Sequence, residues 1–224
     1  MARPLTIALI CLTALGVAAL VYLERIGFSS AAAAVKLAAS TGFVATALAA
    51  GATGSRFGRL LLAGLVLSWC GDAILLGESR RAFLAGLATF LAAHVAYIAA
   101  FLHFGIAARR ALYAALPAAA AAVAVGAWLA PHMPPGLALP VHVYTAVITL
   151  MVVAAIGAWG AGAPGLVAAG ALLFFGSDVS VAAERIVGTV FPTPVWGLPM
   201  YYAGQLCLAT ASGAQSQSGQ SSSQ

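Results

Sequence analysis

Two aspartates, Asp72 and Asp178, lie in stretches otherwise suited to lipid: GLVLSWCGDAILLGESR around the first and GALLFFGSDVSVAAERI around the second. An ionised carboxylate near the centre of a membrane span costs roughly 2.5–3.5 kcal/mol on insertion scales. A single Asp near a helix end is readily explained by snorkelling or capping. Two with the same flanks are better explained by use. Carboxylates held together in a medium of low dielectric resist being ionised at once, so a pair offers an acid and a base together. Such a site suits hydrolysis of a bond that breaks after protonation. It equally suits carrying protons through a transporter.

Other polar residues in apolar surroundings are candidates to approach the pair. Lys36 reads either as a snorkelling interfacial lysine or as a counter-ion for the aspartates. Tyr144, Tyr202 and Gln205 are hydrogen-bonding groups that also serve as interhelical glue, and the last two share one helix face. His94 and Tyr97 share another face, with His94 read more readily as a core histidine than as a reacting group. Trp196 and Tyr201 are assigned to the interfacial aromatic belt, and His103, His132 and His142 receive no role.

The elements that must position these residues follow from composition. Hydrophobic residues make up 63% of the 224-residue chain and charged ones 7%, against roughly 25% charged in soluble domains. Such a chain has no polar surface to show water and must be integral to a membrane. Its apolar blocks are Ala/Leu/Val-rich runs of helical length, which favours an all-α bundle over a barrel. Charges, Gly and Pro divide it into about eight spans of the ~20 residues a bilayer needs, near 5–23, 30–50, 57–77, 82–105, 109–130, 138–160, 164–183 and 195–212. The first is read as a retained helix, because Glu24-Arg25 follow it without a small-x-small cleavage site. Residues 1–211 form the transmembrane domain, and 212–224 read as a disordered Gln/Ser/Gly-rich tail. Cys11, Cys70 and Cys207 have no spaced partners and read as small core residues. The net charge of +5 comes from Lys and Arg placed singly or in pairs between spans. That pattern speaks of topology and headgroups, not of nucleic acid.

With the N-terminus on side one, that side holds Arg3, Arg56, Arg59, Arg109 and Arg110, while side two holds Arg25, Lys36, Arg80, Arg81 and Arg185. The count is even, and the N-terminus is placed in the cytoplasm. Both aspartates then lie toward side two. Counting five residues back from the ends at Gly77 and 183 puts each roughly 7–8 Å inside. One polar cavity open to side two is expected to gather the carboxylates, Lys36 and the hydrogen-bonding groups. Gly64, Asp72 and Glu78 recur with identical spacing as Gly170, Asp178 and Glu184, which suggests two four-helix halves in parallel repeat.

In their order the residues resemble the YhhN-like lysoplasmalogenases. The resemblance rests on Lys36, Gly71-Asp72, Phe90-x3-His94-x2-Tyr97, Tyr144, Met151, Gly170-Ala171-x3-Phe175-x-Ser177-Asp178 and Tyr202-x2-Gln205. One departure is Leu37, where many relatives are expected to have proline after the lysine. The resemblance implies a multi-pass hydrolase, placed in a bacterial inner membrane, that cleaves the vinyl ether bond of lysoplasmalogens. Asp72 and Asp178 are then expected to be catalytic, with Lys36, His94, Tyr97, Tyr144, Tyr202 and Gln205 at the substrate. Lys36, Arg80 or Arg81 is expected to meet the phosphate of a lysophospholipid. No metal or redox cofactor is implied. A proton-coupled transporter of a small amphiphile is the leading alternative, although no Gly/Pro-broken helix pair occupies corresponding places in the two halves. A third reading is a lipid-binding or scaffolding protein whose acids merely join helices.

Overall fold

A computed structural model describes residues 4–189 and 194–214. Arg3 and the tail from 215 onward lie outside them. The described residues form eight α-helices and no strand: α1 (Pro4–Arg25), α2 (Ser29–Ala50), α3 (Arg56–Ile74), α4 (Arg80–Phe104), α5 (Ala108–Leu129), α6 (Ala138–Gly160), α7 (Gly165–Ala182) and α8 (Pro194–Ala211). All but α8 are long and apolar enough to cross a membrane. Helices suit this setting because each satisfies its own backbone hydrogen bonds without water. Their starts and stops follow local chemistry. Ser55 and Ser79 accept hydrogen bonds from the Gly58 and Ala82 amides and so cap α3 and α4. Gly51, at φ 95°, ends α2 in the left-handed conformation that glycine adopts without strain.

Two helix ends differ from the sequence expectation. α3 stops at Ile74, two residues after Asp72, whereas α7 runs on through a π-helical turn, Ala183–Val187. The equal count to the two helix ends therefore does not hold. Leu75 and Leu76 continue the apolar run beyond α3 and gave no composition signal for its end.

The helices pair closely as α1–α2, α3–α4, α5–α6 and α7–α8. Further contacts join α2 to α3 and α8, α6 to α4 and α7, and α1 to α8. In lipid, helices associate through close packing and polar contacts, and small residues permit the approach. Gly170 and Gly204 supply it between α7 and α8, where a Cβ on either would come within 2.9 Å of the other's carbonyl oxygen. Between α3 and α4, Gly64 and Gly71 leave room for the rings of Tyr97 and Phe90. The centre is aromatic: Phe174 packs edge-on against His94, Tyr201 and Phe90, with ring centroids 4.7, 5.4 and 6.1 Å away.

The three cysteines depart from their reading as core residues. Cys11 is exposed, and Cys70 and Cys207 are only partly buried. The tendency of free cysteine to be buried describes proteins in water; where lipid solvates the outer face, a small apolar side chain gains little by turning inward. Ser212, the first residue of the expected tail, is fully buried, and its hydroxyl donates to the Ala209 carbonyl at 2.6 Å.

Candidate active site

One cavity of about 410 Å³ lies among the side-two ends of the bundle, and all eight helices contribute to its wall. Asp72 and Asp178 both line it, together with Lys36 and Tyr144. Asp72 comes from the last turn of α3 and is 3% exposed. Its Oδ1 lies 3.5 Å from the Lys36 ammonium. Its Oδ2 accepts from Ser40 Oγ at 2.6 Å and from the Tyr201 hydroxyl at 2.7 Å. These distances belong to charge-assisted hydrogen bonds, so the carboxylate is held from α2 and α8 at once.

Asp178 sits on α7 among different partners. Its Oδ2 accepts from the Tyr144 hydroxyl at 2.8 Å and lies 3.4 Å from His94 Nε2. With the Tyr144 proton given to Asp178, a hydroxyl lone pair accepts from His94 Nε2–H at 2.9 Å. The Asp178 side chain keeps 20% of its surface, against 4% for Asp72. Among the described residues, Asp178 Oδ1 has no hydrogen bond. His94 is the fifteenth residue of α4, roughly 21 Å along the helix from Arg80. Asp178 meets it there because α7 extends nine residues beyond the aspartate.

The remaining residues singled out in the sequence stand behind the wall. Tyr202 places its hydroxyl 3.1 Å from both Ser40 Oγ and the Lys36 carbonyl. Tyr97 donates to Gln205 Oε1 at 2.8 Å and lies 3.3 Å from Ser68 Oγ. Tyr97, Tyr202, Gln205 and His94 are buried and do not line the cavity. They are placed to hold the wall rather than to touch its contents. Arg80 donates to the Pro135 carbonyl and does not line the cavity, and neither does Arg81. Arg185, in the π-helical turn, does line it, as do Glu24, Glu78 and Glu184.

Tyr201 corrects the sequence reading most. It is 6% exposed, and its hydroxyl is bonded to Asp72 instead of lying in an interfacial belt. Its position four residues before Gln205, on the same helix face, was the signal that it points inward. Ser40 was missed as well, although it lies one turn after Lys36 on the same face of α2. Trp196 is partly buried.

Chemically, the cavity presents one carboxylate with every near donor in place and a second that retains open surface. A protonatable substrate bound in the cavity would have groups suited to serve as proton source, counter-charge and base within one enclosure. Among the described residues, no group of three or more His, Cys, Asp or Glu could hold a metal ion. None of the curated proteins and none of the solved structures matches the chain. The model of the YhhN family matches residues 2–212, nearly the whole chain, and the protein belongs to that family.

Proposed function

We propose that the protein is a membrane hydrolase that cleaves the vinyl ether bond of lysoplasmalogens, releasing a fatty aldehyde and glycerophosphoethanolamine or glycerophosphocholine. The observation that carries this reading is that Asp72 and Asp178 line one cavity, each with its own set of donors. Membership of the YhhN family supports it.

The reaction needs a proton, a counter-charge and water. A carboxyl proton adds to the β-carbon of the vinyl ether, using the π electrons, and leaves an oxocarbenium ion centred on the α-carbon. The carboxylate so formed, or its partner, stabilises that cation. Water adds to the α-carbon and gives up a proton to a carboxylate. The hemiacetal then collapses: its hydroxyl becomes the aldehyde carbonyl, the carbon–oxygen bond breaks, and the glycerol oxygen leaves as an alcohol. One water is consumed, and nothing is oxidised or reduced. Lys36 and Arg185 are the cations of the wall available to a phosphate.

The same reading takes α1–α4 and α5–α8 as a parallel repeat. Its support is that exchanging the halves turns the α2–α8 contact into α6–α4 and the α2–α3 contact into α6–α7, and all four are present. A multi-pass location follows from the seven apolar helices, and we assign the bacterial inner membrane.

Purified protein in detergent is expected to release aldehyde from a lysoplasmalogen and none from its saturated ether counterpart. Absence of aldehyde, or turnover of both lipids, would overturn the proposal.

A further inference from the structure

α4 and α5 are consecutive helices joined by residues 105–107, yet they make only marginal contact, because α5 packs along α6 alone. In the first half α1 packs along α2 and also against α8. If the halves are exchanged, the counterpart of the α1–α8 contact is a contact between α5 and α4. That seam is open.

The cavity reaches the seam. Leu87 of α4, Val125 and Leu129 of α5, and Ile148 of α6 all line it. The wall is also divided by formal charge. Its charged residues all come from α1, α2, α3, α7 and the turns that follow α3 and α7, while α4, α5 and α6 contribute none. A molecule fitting this division carries its charge at one end and hydrocarbon at the other. At about 410 Å³, the cavity lies toward the lower end of the ~300–1,000 Å³ of pockets that enclose a drug-sized ligand. It has room for a headgroup and the reacting bond, but a long hydrocarbon chain must leave it.

We infer that the α4–α5 seam is a lateral portal that holds the hydrocarbon tail of a single-chain amphiphile whose polar end lies at the carboxylates. A tail passing sideways from the bilayer into the seam never enters water, so its transfer carries no hydrophobic cost. The inference rests on the proposed reading of the site and adds where the tail lies and how it enters.

The test uses a saturated single-chain ether phospholipid with a photoreactive diazirine at the end of its tail, a probe that binds without needing turnover. After irradiation with the full-length protein in lipid nanodiscs, label is expected on peptides within 80–129. Label on α1 or α8, or spread evenly over the bundle, would overturn the portal. Val125→Trp is expected to reduce seam labelling at least fivefold. It is also expected to lower the ratio of kcat/KM for long- over short-chain vinyl ether lipids by about tenfold. An unchanged ratio together with unchanged label would sink the inference. Chain-to-chain cross-linking through Ala118→Cys, seven residues before Val125 and on the same face of α5, in protein whose native cysteines are replaced by alanine and with no lipid label there, would give the seam to a second copy of the protein and overturn it too. Absence of aldehyde release by the unaltered protein would instead strike the hydrolase reading, while the label still decides where a tail lies.

Discussion

Asp72 of α3 and Asp178 of α7 have similar flanking sequence, but the groups around them differ in kind. Asp72 is closed in by an ammonium and two hydroxyls drawn from α2 and α8. Asp178 has a phenol and an imidazole from α6 and α4, and one fifth of its side chain remains open. A buried charge is tolerated when it is paired and hydrogen-bonded, and Asp72 meets that condition fully. Asp178 trades part of that security for access. Similar sequence has thus produced one carboxylate built to stay in place and one built to be reached.

The largest expected effect falls on both alike. Asp72→Asn and Asp178→Asn should each lower aldehyde release by about 10²–10⁴-fold, the usual range for a positioned acid or base. Stability should separate them. Asp72→Asn leaves Lys36 without its partner and should lower the melting temperature in detergent, whereas Asp178→Asn should leave it nearly unchanged. Equal thermal shifts would remove the distinction between the two sites.

Next in size is Lys36→Met. Removing one member of a buried ion pair costs about 3–5 kcal/mol, and the 19% exposure of Lys36 puts the expected loss near the lower figure. The double variant Lys36→Met/Asp72→Asn should recover much of it, which a double-mutant cycle of denaturation midpoints would show. Tyr201→Phe should cost about 1–3 kcal/mol by taking a donor from a buried carboxylate. Tyr144→Phe should cost about 1 kcal/mol or less in stability yet slow turnover more than Tyr201→Phe does, since Tyr144 lies beside the more open carboxylate. The reverse order in either measurement would invert the comparison. The smallest change is expected from Ser68→Ala, about 0.5–1.5 kcal/mol, because Tyr97 keeps its shorter bond to Gln205.

The bundle was legible because spans of bilayer length are punctuated by charge, glycine and proline, and most helix ends fall within a few residues of where those marks stand. The side-two placement of the aspartates followed from counting. The faces of the helices were harder to read. α7 is apolar around nearly its whole circumference, so periodicity does not reveal which side turns inward, and the neighbours of Phe174 and Asp178 could not be read from spacing. The π-helical turn was hidden for a related reason: VAAERIV has the composition of an ordinary helix end. Tyr201 was misplaced because an aromatic residue near a span end has two good homes, and only its register with Gln205 distinguishes them. Lys36 presented the same choice, and its contact with Asp72 depends on how α2 and α3 pack, which no local signal encodes.

α8 is the least lipid-like of the eight helices, with Pro199, Tyr201, Tyr202 and Gln205 within 18 residues, and it is wedged among α1, α2, α3 and α7. That placement sets a timetable for biosynthesis. The ribosome delivers Lys36 and Asp72 early, as parts of α2 and α3, but the hydroxyl that completes the Asp72 shell arrives only with residue 201. A nascent chain halted after α7 would already hold both carboxylates while lacking Tyr201, whose hydroxyl bonds to one of them. Completion of the Asp72 site therefore waits until α8 has been made, when a segment poorly suited to enter lipid unaided finds its slot among helices already in place.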